Sequence, residues 1–210
     1  MLHVQSCCHV NLNITVLCNY FVSDFPESSC ILFLLLCRSS LGAFLSEKLG
    51  WPLHEGDDLH PQENIVKMSQ GEPLTDEDRL PWLLQLHGVI QRERCSGRDG
   101  FVTCSALKRL YRQIMLHGST ALDQEIRPPA PPDVFFLFLH GDFSLVHQRM
   151  MSRTAHFMKA DLLHSQFELL EPPLGDEENV LFLDIARDIN DIALEVEKHI
   201  ISLKPQPVKL

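Results

Sequence analysis

Residues 1–37 contain no lysine and no arginine, and no glycine precedes Gly42. The missing basic residues remove the charged n-region that a secretion leader carries before its apolar core. The apolar run Cys30–Cys37 has eight residues, far short of the ~20 that cross a bilayer as a helix. The missing glycines matter for another reason: glycine lets a backbone curl its N–H groups around a phosphate. Cysteine is plentiful, but its count of seven is odd, which excludes a complete set of intrachain disulfides. Five of the seven fall in the first 37 residues, and the other two, Cys95 and Cys104, lack zinc-ligand spacing. All seven read as reduced thiols of a cytoplasmic protein, including Cys7 and Cys8 between His3 and His9. The sequon Asn13-Ile14-Thr15 carries no weight without a leader. Positive charge is scarce throughout: 18 Lys and Arg against 28 Asp and Glu give a net charge of −10. That balance argues against nucleic acid or an anionic membrane as the main partner. It leaves room for a small anionic substrate held by a few local Arg and Lys.

What is present is an ordinary globular composition, 45% hydrophobic and 22% charged over 210 residues, enough for one domain with a real core. Composition changes sharply at Arg38. Residues 1–38 form an atypical Cys-rich apolar segment, 39–204 a single α/β domain, and 205–210 a frayed tail. A helix is expected from Ser39 or Ser40 to about Leu49, with Leu41, Phe44, Leu45 and Leu49 on one face and Gly50 as C-cap. Asn64–Gln70 reads as a short helix, and Asp76 begins a longer one whose apolar side is Leu80, Leu83, Leu84, Leu86 and Ile90. "GFVTCSAL" (100–107) reads as a short buried strand running into a turn, and "VFFLFLH" (134–140) and "VLFLDI" (180–185) as two further buried strands. Further helices are expected from Ser105 to about Leu116, from Ser144 to Ser152 and from Ile189 to Ser202, and the proline-rich 127–133 is a stiff loop. Buried strands alternating with helices imply a mostly parallel sheet covered on both faces, a three-layer α/β fold. Ligands of such sheets sit at the carboxyl ends of the strands, here the loop after Leu53, the turn at Ser105 and the loop after Leu139. The run 30–37 is the expected replacement for a first strand, with residues 1–29 irregular.

Four stretches carry candidate chemistry. "HEGDDLHP" (54–61) sets three carboxylates and two imidazoles at a strand end, either a reactive cluster or a polar capping loop. "GEPLTDEDRLPWL" (71–83) opens a helix with Asp76, Glu77 and Asp78, which complement the helix dipole. Arg79 does not, because a cation in the first turn is disfavoured and wants an anion or a buried partner. "CSALKRLYR" (104–112) puts Ser105 at a strand-to-helix turn near Lys108, an anion site or a solvated N-terminus. "RMMSRTAHFM" (149–158) places Arg149 and Arg153 on one helical face, as a mobile phosphate clamp or an exposed basic helix.

In order, these stretches strongly resemble gluconokinases: GDDLHP, NxxKM, GEPLxDxDRxPWL, CSALKxxYR, a strand plus GDF, RxxxRxxHFM and LLxSQFELLEPP. The match covers roughly residues 39–203. Gluconokinases belong to the P-loop kinase superfamily, so the resemblance implies a P-loop-kinase-type fold and transfer of the ATP γ-phosphoryl group to gluconate with Mg²⁺. The ordered motifs speak against a nucleoside or shikimate-type kinase. By resemblance, Asp57 faces the acceptor hydroxyl as base. His60, Lys67, Arg79, Lys108 and Gln166 hold the sugar acid, and Arg149 and Arg153 close over the phosphates, with Arg153 also catalytic. His156 matches a motif position without an assigned role. Ser39 and Ser40 fit the Ser-Thr that ends the phosphate loop, Ser39 and Glu55 fall at positions associated with the metal ion, and the family's habit of dimerising implies a homodimer.

Three departures stand out. Glu55 replaces the family's usual Asp, and Ala155 replaces a lid Gly. The GxSGxGK loop is not matched: Arg38 falls at its lysine, Cys37 at its last glycine and Leu34, Leu35 and Leu36 at the preceding positions. The alternative to a working kinase is therefore a non-catalytic form that keeps the sugar-acid site, or pairs with intact subunits, without the ATP phosphate loop.

Overall fold

The computed structural model describes residues 14–19, 39–123, 129–145, 148, 168–174 and 179–203. The described residues hold the strands β1 (Ile14–Asn19), β2 (Leu53–Glu55), β3 (Gly100–Thr103), β4 (Val134–His140) and β5 (Val180–Asp184). Their order in the sheet is β2-β3-β1-β4-β5, and every ladder is parallel. All five carboxyl ends therefore lie on one edge. Between the strands run α1 (Ser39–Leu49), α2 (Gln62–Gln70), α3 (Asp76–Ser96) and α4 (Arg109–His117), and α5 (Ile189–Leu203) closes the described chain.

Alternation along the buried strands sorts side chains to two cores. Val102, Val134 and Phe136 join Trp82, Leu83, Leu86 and Ile90 of α3 and Ile114 and Met115 of α4. Phe101, Leu137 and Leu139 turn the other way, onto Leu41 and Leu45 of α1 and Ile192, Val196 and Ile200 of α5. The result is the expected three layers, with β4 buried on both faces from Val134 to Leu139. The helix limits follow their caps. α1 ends at Gly50, which adopts φ +69°. Thr75 and Asp78 form a reciprocal capping box at the start of α3, and Gly97 closes it in the left-handed conformation. Arg94, near that end, makes a two-pronged ion pair with Asp133 just before β4, at 2.7 and 2.9 Å.

Two elements differ from the sequence expectation. The centre of the sheet is filled by Ile14–Asn19, paired with β3 on one side and β4 on the other. That stretch was expected to be irregular; the run 30–37 lies outside the described residues. Its Ile-Thr-Val start suits a pleated strand, and a ladder asks only for backbone. β3 ends at Thr103, ahead of the turn expected at Ser105. Cys104, Ala106 and Leu107 stay buried as a loop, and α4 starts at Arg109 rather than at Ser105. No described helix is long and apolar enough to cross a membrane.

Burial lowers the pKa of His117, His140 and His199 below the ordinary histidine value; nearby His87 and Arg94 add to the effect at His117. Each is thus held neutral by folding. Below the unfolded value of ~6.5 the unfolded chain binds the extra protons. Their contribution to stability is complete above that value and is lost as pH falls through the lower folded values. The melting temperature is expected to drop as pH goes from 7.5 to 5.5, and His140→Gln should flatten part of the slope in thermal melts.

Candidate functional site

The loop at the carboxyl end of β2 is fixed by its glycine. A Cβ on Gly56 would stand 2.1 Å from the main-chain oxygen of Thr103, so only glycine fits against β3. The Thr103 hydroxyl accepts from the Gly56 N–H at 3.3 Å and donates to the Glu55 carboxylate. The Gly56 carbonyl in turn accepts the indole N–H of Trp82 at 2.7 Å. Asp57 follows in a single 3-10 turn, Gly56–Leu59, half-buried at the strand edge.

The first two turns of α3 hold the remaining described candidates one by one. Asp76 accepts the Lys108 ammonium at 2.6 and 2.8 Å and also accepts the Tyr111 hydroxyl. Asp78 takes the Lys67 ammonium on both oxygens at 2.8 Å. Arg79 is 5% exposed, donates to the Tyr111 hydroxyl at 3.3 Å and lies 5.8 Å from the centre of that ring. Trp82, fully buried, stacks under His60 with ring centres 4.3 Å apart and planes 12° apart. Asn64, in α2, donates to the Asp78 main-chain oxygen at 2.7 Å and meets His60 Nδ1 at 3.4 Å.

These contacts set the charges. The Lys67 ammonium, aided by the Thr75 backbone and hydroxyl, holds the Asp78 carboxyl down at about 2. Lys108 first, and then Tyr111, lower Asp76. Burial, reinforced by the bond to Asp76, pushes the Tyr111 phenol up to about 12, so it stays a neutral donor near pH 7. Among the described residues no carboxylate oxygen lies within ion-pairing distance of Arg79. With Asp76 bonded to Lys108, the buried guanidinium donates to a phenol among the described residues.

Eight of the sequence candidates have described positions. Asp57, His60, Lys67, Arg79 and Lys108 surround the start of α3, and Glu55 adjoins Asp57. Ser39 and Ser40 are the first residues of α1. Arg38, Arg149, Arg153, His156 and Gln166 lie outside the described residues. The expected anion site at the start of α4 has a different tenant: the Arg109 N–H donates to the Glu171 carboxylate at 2.8 Å, and Lys108 is engaged by Asp76. Sequence reasoning passed over Trp82, Tyr111, Asn64 and Thr103. Trp82, Tyr111 and Asn64 were visible inside the quoted motifs, whereas nothing in the sequence joins Thr103 to Gly56.

No protein-family profile matches the chain. Individual relatives do. It is 41% identical over 163 residues to a probable gluconokinase of Xenopus tropicalis, covering 76% of this chain and 85% of the relative. It is 41% identical over 169 residues to the thermosensitive gluconokinase of Escherichia coli K12, covering 80% and 82%. This chain belongs to the gluconokinase family. The crystal structure of a gluconokinase from Sinorhizobium meliloti 1021 overlays it with a TM-score of 0.68 at 35% identity, over 92% of this chain and 93% of that one. The fold is thus that of the P-loop sugar kinases, and the chain is by family a kinase.

Gly56→Ala is expected to cost about 3 kcal/mol, the upper end for an overpacked site. In a 210-residue chain that lowers the melting temperature by ~6–12 °C. A variant melting within ~2 °C of the parent would mean that the loop is not held against Thr103.

Proposed function

We propose that this gluconokinase-family chain transfers the γ-phosphoryl group of ATP to the 6-hydroxyl of gluconate, giving 6-phosphogluconate. The names of its relatives support the reaction class. The observation that carries the substrate is Arg79, a buried cation with no carboxylate at ion-pairing distance among the described residues, Asp76 reaching it only through the Tyr111 hydroxyl. Burying a charge is costly unless it is paired, and a planar carboxylate meets a guanidinium with two parallel hydrogen bonds. A sugar acid supplies that carboxylate and, at its far end, a primary hydroxyl.

In this reading the C6 oxygen attacks the γ-phosphorus and its proton passes to the Asp57 carboxylate. The bond from the γ-phosphorus to the bridging oxygen breaks, and ADP leaves. Phosphoryl transfer rests on positioning and charge stabilisation more than on covalent help. His60, Lys67, Lys108 and Gln166 complete the acceptor pocket. The family resemblance gives Arg38, Ser39 and Ser40 the phosphates to bind, and Arg149 and Arg153 the part of a closing lid. Magnesium arrives with ATP as the nucleotide's counter-ion. Glu55, with Ser39, would hold it: a hard carboxylate oxygen at the strand end suits an ion that takes one or two carboxylates and keeps its other positions for phosphate and water. When bound, it neutralises charge on the β- and γ-phosphates.

ADP release coupled to gluconate is the direct test, run beside a thermal-shift titration with gluconate and with MgATP. Turnover supports the kinase; a gluconate-dependent shift with neither ADP release nor a nucleotide shift would leave a sugar-acid binder instead. Asp57→Asn should lower kcat by about 10²–10⁴-fold with an unchanged melting temperature, and unaltered turnover would exclude Asp57 as base. Arg79→Lys keeps the charge but loses the fork. It should raise KM for gluconate by about tenfold, or ~1.4 kcal/mol, while leaving KM for ATP alone.

A further inference from the structure

Three features outside the assigned roles could carry more. Glu93 is 2% exposed and lies between His54 and Arg98 at 3.2 and 3.0 Å, at the opposite end of β3 from the site, with nothing to mark a ligand. Phe182 is 40% exposed on the edge strand β5, with nothing to say what covers it. The third is the support beneath His60, and it bears on chemistry.

His60 is gripped on two sides. Its ring lies almost parallel to the Trp82 indole, 12° apart with centres at 4.3 Å. The indole cannot turn, because its N–H is bonded to the Gly56 carbonyl at 2.7 Å. Stacking therefore sets the plane of the imidazole but leaves its two nitrogens undistinguished. Asn64 distinguishes them. It is 3% exposed, and its amide group donates to the Asp78 main-chain oxygen at 2.7 Å. A carbonyl oxygen can only accept, so the atom on Asp78 must be the amide nitrogen. The same NH₂ group meets His60 Nδ1 at 3.4 Å. Facing a donor, Nδ1 must present its lone pair, and in a neutral imidazole the proton then sits on Nε2.

We propose that Asn64 and Trp82 are positioning residues that hold His60 as the Nε2–H tautomer, making it a hydrogen-bond donor to the sugar acid and leaving proton abstraction to Asp57. This rests on the acceptor-site reading above for its ligand, but not for its tautomer. A donor at Nε2 recognises a hydroxyl or carboxylate oxygen of the substrate and takes no proton from it. Without Asn64 the donor that makes Nδ1 an acceptor is gone, and the preference for the Nε2–H tautomer weakens. Without the indole N–H the stacking plane is free to tilt.

Nitrogen-15 spectra of the full chain labelled at histidine test the tautomer directly, with the His60 signals assigned by their absence in His60→Gln. The expected pattern at pH 7.5 is a protonated Nε2 and an unprotonated Nδ1. Asn64→Leu, similar in volume, should shift His60 toward a mixture of tautomers and weaken gluconate binding about tenfold by calorimetry. Trp82→Phe keeps a ring face and should keep the tautomer while weakening binding by a smaller factor. A protonated Nδ1 in the parent protein overturns the proposal whether or not either variant folds. So does an Asn64→Leu protein with the parent spectrum or the parent affinity. If the parent binds no gluconate, the substrate reading falls on its own while the parent spectrum still decides the tautomer.

Discussion

The contact of Gly56 with the Thr103 carbonyl is the constraint from which the acceptor site is built. It leaves no space for a Cβ, and it brings the end of β2 flush against the end of β3. Each later placement uses that contact. The Gly56 carbonyl orients the Trp82 indole, the indole supports His60, and Asn64 joins His60 to the Asp78 backbone. The line of contacts runs from the sheet to α3, then to the loop before α2, and back to α3. Two helices and two strands are thus held in one register by a few polar bonds, each to a group that would otherwise be buried and unsatisfied.

The acidic start of α3 has two uses that compete for the same charges. Asp76, Glu77 and Asp78 complement the helix dipole, and Asp78 caps the helix through Thr75. Asp76 and Asp78 also neutralise Lys108 and Lys67. Exposed pairs of this kind add little stability. Their effect is instead to set which cation is left over. Both lysines are matched by their own carboxylates, and Arg79 is not. Among the described residues Arg79 has no ion-pair partner, and its guanidinium donates to the Tyr111 hydroxyl that Asp76 also binds.

Most of the fold was legible because it rests on periodicity. The continuous apolar run of β4, the 3.6-residue spacing of α1 and α3, and the glycines that end α1, α2 and α3 are local signals. The placement of β1 was not legible. Ile14–Asn19 is six residues in a segment without Lys or Arg, and periodicity cannot tell such a piece from the longer apolar run at 30–37. Only pairing with β3 and β4 decides. In the site, the residues of chemical interest were visible as an odd cation or a cluster of acids. Their partners were not: Thr103 is 47 positions from Gly56, and Tyr111 is 35 from Asp76. Contacts at that separation are products of the sheet order. The same limit explains Lys108, which reads as a helix-terminus anion ligand until Asp76 and Glu171 are brought to it.

The two halves of a kinase site make demands of different kinds on the chain. A central parallel strand is held by backbone hydrogen bonds, so many extended apolar sequences can fill it, and Ile14–Asn19 does so between β3 and β4. A phosphate nest instead requires backbone conformations that glycine adopts and leucine resists. No glycine occurs before Gly42. The acceptor half is indifferent to this difference. Among the described residues, the polar contacts from Glu55 through Trp82 to Tyr111 join residues that follow α1. Sequence change before Ser39 therefore bears first on how a phosphate nest is built, whereas the polar contacts described for the acceptor half lie after it.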